Sequence, residues 1–188
     1  MYSHDAMSNI NQRLALLQEY RKTVRIGIFG SFYNSRKDDL IRLRDYLKSQ
    51  GYTQTRISED LDDRSDEERK TDNPIVNRKL STRLIDESDI HIFVVCSPET
   101  TEPLTLLQSV SMEIERVCTL REKGLLAAEH VVVYLQNPLK NTSGGVFKGL
   151  MMTMNNDWIF YDYDNIEELF TASRALCFEC LREIHGIK

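Results

Sequence analysis

The chain has 188 residues, 41% apolar and 28% charged, with a formal net charge of -5. That length suits one domain able to bury most of its apolar surface, and the acidic balance supplies no basic face for duplex nucleic acid. No apolar run approaches the roughly 20 residues that span a bilayer, and no secretory signal pattern opens the chain, so a cytoplasmic protein without membrane association is expected. Residues 7–22 carry Ile10, Leu14 and Leu17 at helical spacing, which predicts a helical extension over 1–22 ahead of a single α/β nucleotide-binding domain over 23–188. Packing against the domain is the first reading of that helix; self-association is the second.

Val24–Phe29 reads as a buried strand that runs into the turn Gly30-Ser31-Phe32-Tyr33-Asn34-Ser35. Lys37–Gln50 follows as a helix with Leu40, Leu43 and Leu47 on one face, stopped by Gly51. Tyr52–Ile57 alternates as a second strand. Residues 58–74 are dense in charge, and read as a solvated loop or mobile lid without the spacing of a calcium loop. Asn77–Glu87 reads as a helix, and Asp89–Cys96 as a central parallel strand in which His91 is a core side chain. A loop from Ser97 to Pro103 leads to a helix over Leu106–Glu122 that carries Glu113. His130–Leu135 is the next strand, Asn141–Gly145 a polar loop, Phe147–Met154 a short helix, Trp158–Tyr161 a last strand and Ile166–Ile184 the closing helix.

Alternating strands and helices predict a doubly wound, flavodoxin- or Rossmann-like, mostly parallel sheet with helices on both faces and the N-terminal helix added. Such sheets bind ligands outside the carboxyl ends of their strands. Gly30 and Ser31 lie at one such end, where backbone amides suit a phosphate, a carboxylate or a sugar hydroxyl. The turn lacks the Gly-Lys-Ser/Thr ending of a phosphate-binding loop and the later glycines of a dinucleotide fingerprint. A tight turn holding no ligand has the same pattern. Cys177 and Cys180 have redox or metal spacing, but no second pair completes a zinc site, and both suit a core-facing helix. Neither a metal nor a cofactor is expected. Glu115 and Glu122 share a helix with Glu113 and are expected to be solvated.

Several segments, in order, resemble the nucleoside 2-deoxyribosyltransferase superfamily, which includes the 2'-deoxynucleoside 5'-monophosphate N-glycosidases. Ile28-Phe-Gly-Ser-Phe-Tyr33, with Arg36 and Asp38 behind it, is similar to that family's opening strand and nucleotide-holding turn. Asp86-Glu-Ser-Asp-Ile-His-Ile-Phe-Val-Val95 is similar to its helix-to-strand segment, and Ser111-Met-Glu-Ile114 falls where the family approaches its catalytic glutamate. Trp158–Tyr163 is similar to its aromatic-acidic segment. The resemblance implies that Glu113 is a nucleophile trapping the sugar at its anomeric carbon, as in retaining glycoside hydrolysis. Water then releases the sugar, or a second base accepts it.

By the same resemblance Gly30, Ser31, Phe32, Arg36, Ser97, Ser109 and Ser111 line the substrate. Ser143 and Gly144 hold a 5'-phosphate unless they belong to a plain surface loop. Tyr33 orients Glu113, stacks on the base, or packs beside Phe32. The family's usual second acid, two helical turns before the strand-opening Asp89, is Ser81 here, and Asp86 is the acid nearest in sequence to replace it. The expected partner is a small nucleoside or nucleotide, and the expected assembly a homo-oligomer. A non-catalytic nucleotide-binding module and an NAD-cleaving domain of the Toll/interleukin-receptor type are the alternatives.

Overall fold

Residues 4–31, 35–71, 73–96, 105–125, 130–137 and 159–186 are described by a computed structural model, without the side chains of 4–10, 35, 105–109 and 159–160. In chain order the elements are α1 (His4–Thr23), β1 (Arg25–Gly30), α2 (Ser35–Ser49), β2 (Gln54–Arg56), a 3-10 turn (Ser58–Leu61), α3 (Asp66–Arg69) and α4 (Pro74–Glu87). Then come β3 (Ile90–Val95), α5 (Thr105–Glu122), β4 (His130–Gln136), β5 (Ile159–Tyr163) and α6 (Ile166–Ile184). The five strands form one parallel sheet in the order β2-β1-β3-β4-β5. This is the doubly wound architecture that the alternating pattern predicts. Its topological switch point lies between β1 and β3, where Ile26 to Gly30 pair with Ile90 to Val94.

Every residue of β3 is buried, because helices cover both faces of the sheet. On one face Ile26, Ile28, Ile90, Ile92, Val94, Val132 and Tyr134 pack against Leu40, Leu43 and Leu47 of α2 and Leu169, Leu176, Cys177, Cys180 and Leu181 of α6. On the other, Phe29, Phe93, Val95, Val131, Val133 and Leu135 meet Leu84 and Ile85 of α4 and Val110, Ile114 and Val117 of α5. The alternation of strand residues between the two sets follows from the two-residue period of the pleat. Both Cys177 and Cys180 face the first of these cores, as the helical pattern predicts. Burial raises the Cys180 thiol to about 12 and pushes Cys177 up as well, so neither is a reactive thiolate at neutral pH.

Helix starts follow side-chain chemistry. Asn73 accepts hydrogen bonds from the amides of Ile75 and Val76 ahead of α4, whose first residue is Pro74. Asn165 does the same for Glu168 at α6, at 2.9 Å.

Two boundaries differ from the sequence reading. The second strand is only Gln54–Arg56, because the Tyr52 amide turns back to the Leu47 carbonyl at 3.1 Å and closes the end of α2. Within 58–74, Leu61 is buried, Arg44 binds Asp60 at 2.7 Å, and Ser65 and Glu68 form a reciprocal capping box on α3. That stretch is therefore partly helical and pinned to the domain rather than a plain solvated loop. The expected polar loop over 141–145 and helix over 147–154 lie outside the described residues.

At the amino edge, Arg25 and Asp89 lock β1 to β3. The Arg25 amide and Nε donate to Asp89 Oδ2 at 2.9 and 3.0 Å, Nη2 donates to Oδ1 at 2.5 Å, and the Asp89 amide donates back to the Arg25 carbonyl at 2.8 Å. Burial opposes ionisation of Asp89, but the Arg25 hydrogen bonds outweigh it and hold the carboxyl below its ordinary range. The carboxylate that opens the central strand is thus a strand clamp at the amino ends of the strands, opposite their carboxyl ends.

Helix α1 is docked to this domain by its second half. Leu17 and Tyr20 pack on the α2/α6 core, Tyr20 stacks on His185 with ring centroids 3.6 Å apart, and Arg21 lies over Tyr52 and Phe178. Leu14 and Leu16 stay exposed. Among the described residues, no helix is long and apolar enough to cross a membrane.

Gly30 is a packing requirement. A Cβ there would sit 2.9 Å from both Leu40 Cδ2 and the Val94 carbonyl oxygen. Gly30→Ala is expected to cost about 1–3 kcal/mol through overpacking, measured as a lower urea midpoint in ligand-free protein; an unchanged midpoint would remove this explanation of the glycine.

Candidate active site

Helices α4 and α5 pack on each other and on β1, and α5 also packs on β3, so they meet beside the switch point. Their apolar faces point at the sheet. On the flank where they touch, the sequence supplies a hydroxyl and a carboxyl: Ser81 Oγ donates a short hydrogen bond to Glu113 Oε1. Position 113 lies one residue before the fully buried Ile114, which draws its carboxyl into the helix-helix seam while Met112 and Glu115 face solvent. Glu115 and Glu122 are both exposed, as expected.

Burial pushes the Glu113 carboxyl up to about 7, and the Ser81 hydrogen bond pulls the other way without cancelling it. No described cation contributes to holding this carboxylate. An acid in this setting exists in both protonation states near neutral pH, the condition for proton transfer or for a carboxylate poised to meet positive charge.

Asp86 lies elsewhere. It occupies the last turn of α4, exposed, with Oδ1 3.6 Å from Arg116 Nη2, and makes no bond to the Ser81–Glu113 pair. His91 sits under the same helices in the Phe29/Phe93 core, where Nε2 hydrogen-bonds the Ile85 carbonyl at 2.9 Å. Its Nδ1 is buried without a partner among the described residues, and burial lowers the ring to about 4, so His91 is a neutral core residue.

The carboxyl ends of the strands carry a second polar group on the opposite face. Arg36, in the first turn of α2, donates from Nη1 to Gln136 Oε1 at 3.2 Å, joining the helix to the end of β4. Cys96 Sγ lies 3.3 Å from the Tyr163 hydroxyl across the ends of β3 and β5, and Asn137 donates to Asp164 at 2.8 Å. Gln136 and Cys96 had no motif to mark them, their strand-end positions being the available signal, whereas Tyr163 closes the aromatic-acidic segment Trp158–Tyr163.

Ser31 follows β1 and is half-buried, while Gly30 abuts Leu40 and Val94 rather than open space. Ser111 lines an open groove along α5 with Met112, Glu115, Arg116, Thr119 and Lys123, a surface that does not include Glu113. The Ser109 side chain and Phe32, Tyr33, Ser97, Ser143 and Gly144 lie outside the described residues. Of the expected site residues, then, the structure brings Ser81 and Glu113 into contact and leaves Asp86 apart. Among the described residues, no three His, Cys, Asp or Glu side chains cluster in a way that could hold a metal ion.

The two titrating groups act on stability with opposite signs. Glu113 contributes stability in full below its ordinary value near 4.5, and loses it as pH rises through about 7. His91 contributes above its ordinary value near 6.5, and loses that as pH falls through about 4. Glu113→Gln should therefore gain stability relative to the natural chain between pH 5 and pH 8, by up to about 3 kcal/mol at ~1.4 kcal/mol per tenfold change in proton affinity. Chemical denaturation at the two pH values measures this; parallel pH profiles would show that Glu113 titrates normally.

Comparison of the chain with protein-family models, with curated proteins and with solved structures returns no match.

Proposed function

We propose that the protein cleaves the N-glycosidic bond of a nucleoside or nucleotide, with Glu113 as nucleophile. The observation that carries this reading is the Ser81–Glu113 pair: a desolvated carboxyl, oriented through one oxygen by a neutral hydroxyl and with no described cation compensating it. Departure of a base leaves positive charge on the sugar anomeric carbon. An uncompensated carboxylate in a desolvated seam stabilises that charge more than a salt-bridged one, whose field is already spent on its partner. The ordered segments that resemble the deoxyribosyltransferase superfamily support the same assignment, since Ser81 and Glu113 fall at two of its site positions.

In this mechanism Ser81 holds Oε1, which leaves Oε2 to attack the anomeric carbon from the face opposite the base. The covalent glycosyl ester is then released by water or passed to another base. Arg36 and Gln136 at the strand ends, with Ser31 after β1, suit the phosphate or hydroxyls of the substrate. A cytoplasmic setting fits Cys118, Cys177 and Cys180, all free thiols. A homo-oligomer joined through α1 fits the exposure of Leu14 and Leu16 at 53% and 47%.

Incubation with deoxynucleotides, ribonucleotides and pyridine nucleotides, followed by chromatography, should show free base. Its kcat/KM should rise to a plateau above about pH 7, the point at which Glu113 ionises. Glu113→Gln should lower the rate on the order of 10³-fold or more while keeping ligand-induced thermal stabilisation. Stabilisation by nucleotides without release from any of them would replace this reading with a binding module.

A further inference from the structure

We infer that the outer half of α1 from one copy of this chain docks in the groove along α5 of a second copy. The inference rests on the homo-oligomer part of the reading above and not on the chemistry assigned to Glu113. It begins with an apolar stripe that outruns its support. Met7, Ile10, Leu14 and Leu17 recur along α1 at alternating three- and four-residue intervals, the spacing of a helix face that packs on another helix. Leu17, at the inner end, packs on the α2/α6 core. Residues 11–16, Leu14 among them, are exposed throughout, so the stripe leaves the domain between Leu17 and Leu14. A short helix owes most of its stability to packing an apolar face, and this face calls for a partner beyond the domain.

The groove on α5 offers the matching surface. Met112, Thr119 and Leu120 line it with apolar groups, Met112 being 69% exposed, and Glu115 and Lys123 line it with charges. Glu115 is the acid of that described lining. Arg13, exposed beside the stripe, is the base of opposite sign on the outer half of α1. Two helices laid antiparallel stay in step, because both rise about 1.5 Å per residue. With Arg13 against Glu115, Leu14 comes level with the turn that carries Met112. Met7 and Ile10 then come level with the turn of Thr119 and Leu120. Apolar positions meet apolar positions, and the charge pair sets the register. A parallel setting would lay the turns from Leu17 onward over Leu120, although their own domain already holds them.

The donor has to be another copy. The inner turns of α1 are anchored on the sheet face covered by α2 and α6, whereas α5 lies with α4 on the opposite face. A straight helix anchored on one face does not reach the other, so a chain's own α1 cannot fill its own groove. Helix and groove are different surfaces, which makes the contact heterologous. Two copies close it by exchanging helices in both directions, whereas a one-way contact would leave a helix and a groove open and propagate.

The test is analytical sedimentation of the full chain, without substrate, over the micromolar to millimolar range. The natural chain is expected to form a dimer. Leu14→Asp and Met112→Asp should each weaken self-association by about thirtyfold or more. Both positions are exposed, so neither change should lower the thermal midpoint of the monomer. Arg13→Glu and Glu115→Arg should each weaken association by about fivefold or more, and the chain carrying both should regain most of that loss. A natural chain that stays monomeric, or a dimer indifferent to all four substitutions, overturns this inference and association through α1 together. A dimer that responds to Leu14→Asp but not to Met112→Asp, with no recovery on charge exchange, overturns the groove and leaves association through α1 standing. If an aspartate variant fails to fold, the charge exchange decides alone, and lack of recovery overturns the inference. Base release is measured separately, so none of these outcomes bears on the N-glycosidase reading.

Discussion

Burial of the parallel sheet on both faces is the constraint from which the rest of the molecule follows. Ile26, Ile28, Ile90 and Ile92 on one side and Phe29 and Phe93 on the other leave no face of β1 or β3 for water. Each face must therefore be covered by helices, and parallel neighbours can be joined only by long crossovers that supply them. With β1 and β3 adjacent, the connection through α2 goes to one side and α4 and α5 to the other. The strand order thus fixes both the switch point and the identity of the helix pair beside it.

That helix pair explains how an ionisable group comes to be half-hidden there. The residues α4 and α5 turn to the sheet are apolar, but at their mutual contact Ser81 meets Glu113. A well-packed hydrophobic pair at those positions would be at least as stable, because removing a carboxylate from water costs more than one hydroxyl returns. A chain that retains this arrangement carries a local cost, and such costs concentrate where chemistry is done. The contrast with Asp89 is instructive. Its carboxylate is tied to strand geometry rather than to a helix pair, Arg25 neutralises it, and it serves the sheet alone.

Much of the fold was legible because its signals are local. The central strands stand out as near-continuous apolar runs, α2 through Leu40, Leu43 and Leu47, and α6 through an apolar face that includes Cys177 and Cys180. The shortness of β2 was not legible, since it depends on the Tyr52 amide turning back to Leu47. The charge density of 58–74 hid two signals that were present, the lone apolar Leu61 and the Ser65-x-x-Glu68 spacing of a capping box. In the candidate site, Glu113 could be named from its segment, whereas its contact with Ser81 could not be read directly. The two are 32 residues apart, and only the packing of α4 on α5 joins them. Gly30 was visible as a special position, but the pattern of a ligand cradle and that of a close approach to Leu40 and Val94 are the same in one dimension.

The docking of α1 bears on where this chain can be divided. Its final turns belong to the core: Tyr20 stacks on His185, and the Val24 amide bonds the Tyr20 carbonyl at 3.0 Å while Thr53 donates to the Lys22 carbonyl at 3.1 Å. A cut at residue 23 would strip those partners from α6 and from the approach to β2, uncovering Phe178 and Tyr52 to water. The natural seam in this helix lies between the outward Leu14 and Leu16 and the inward Leu17 and Tyr20, so the turns from Leu17 onward are domain.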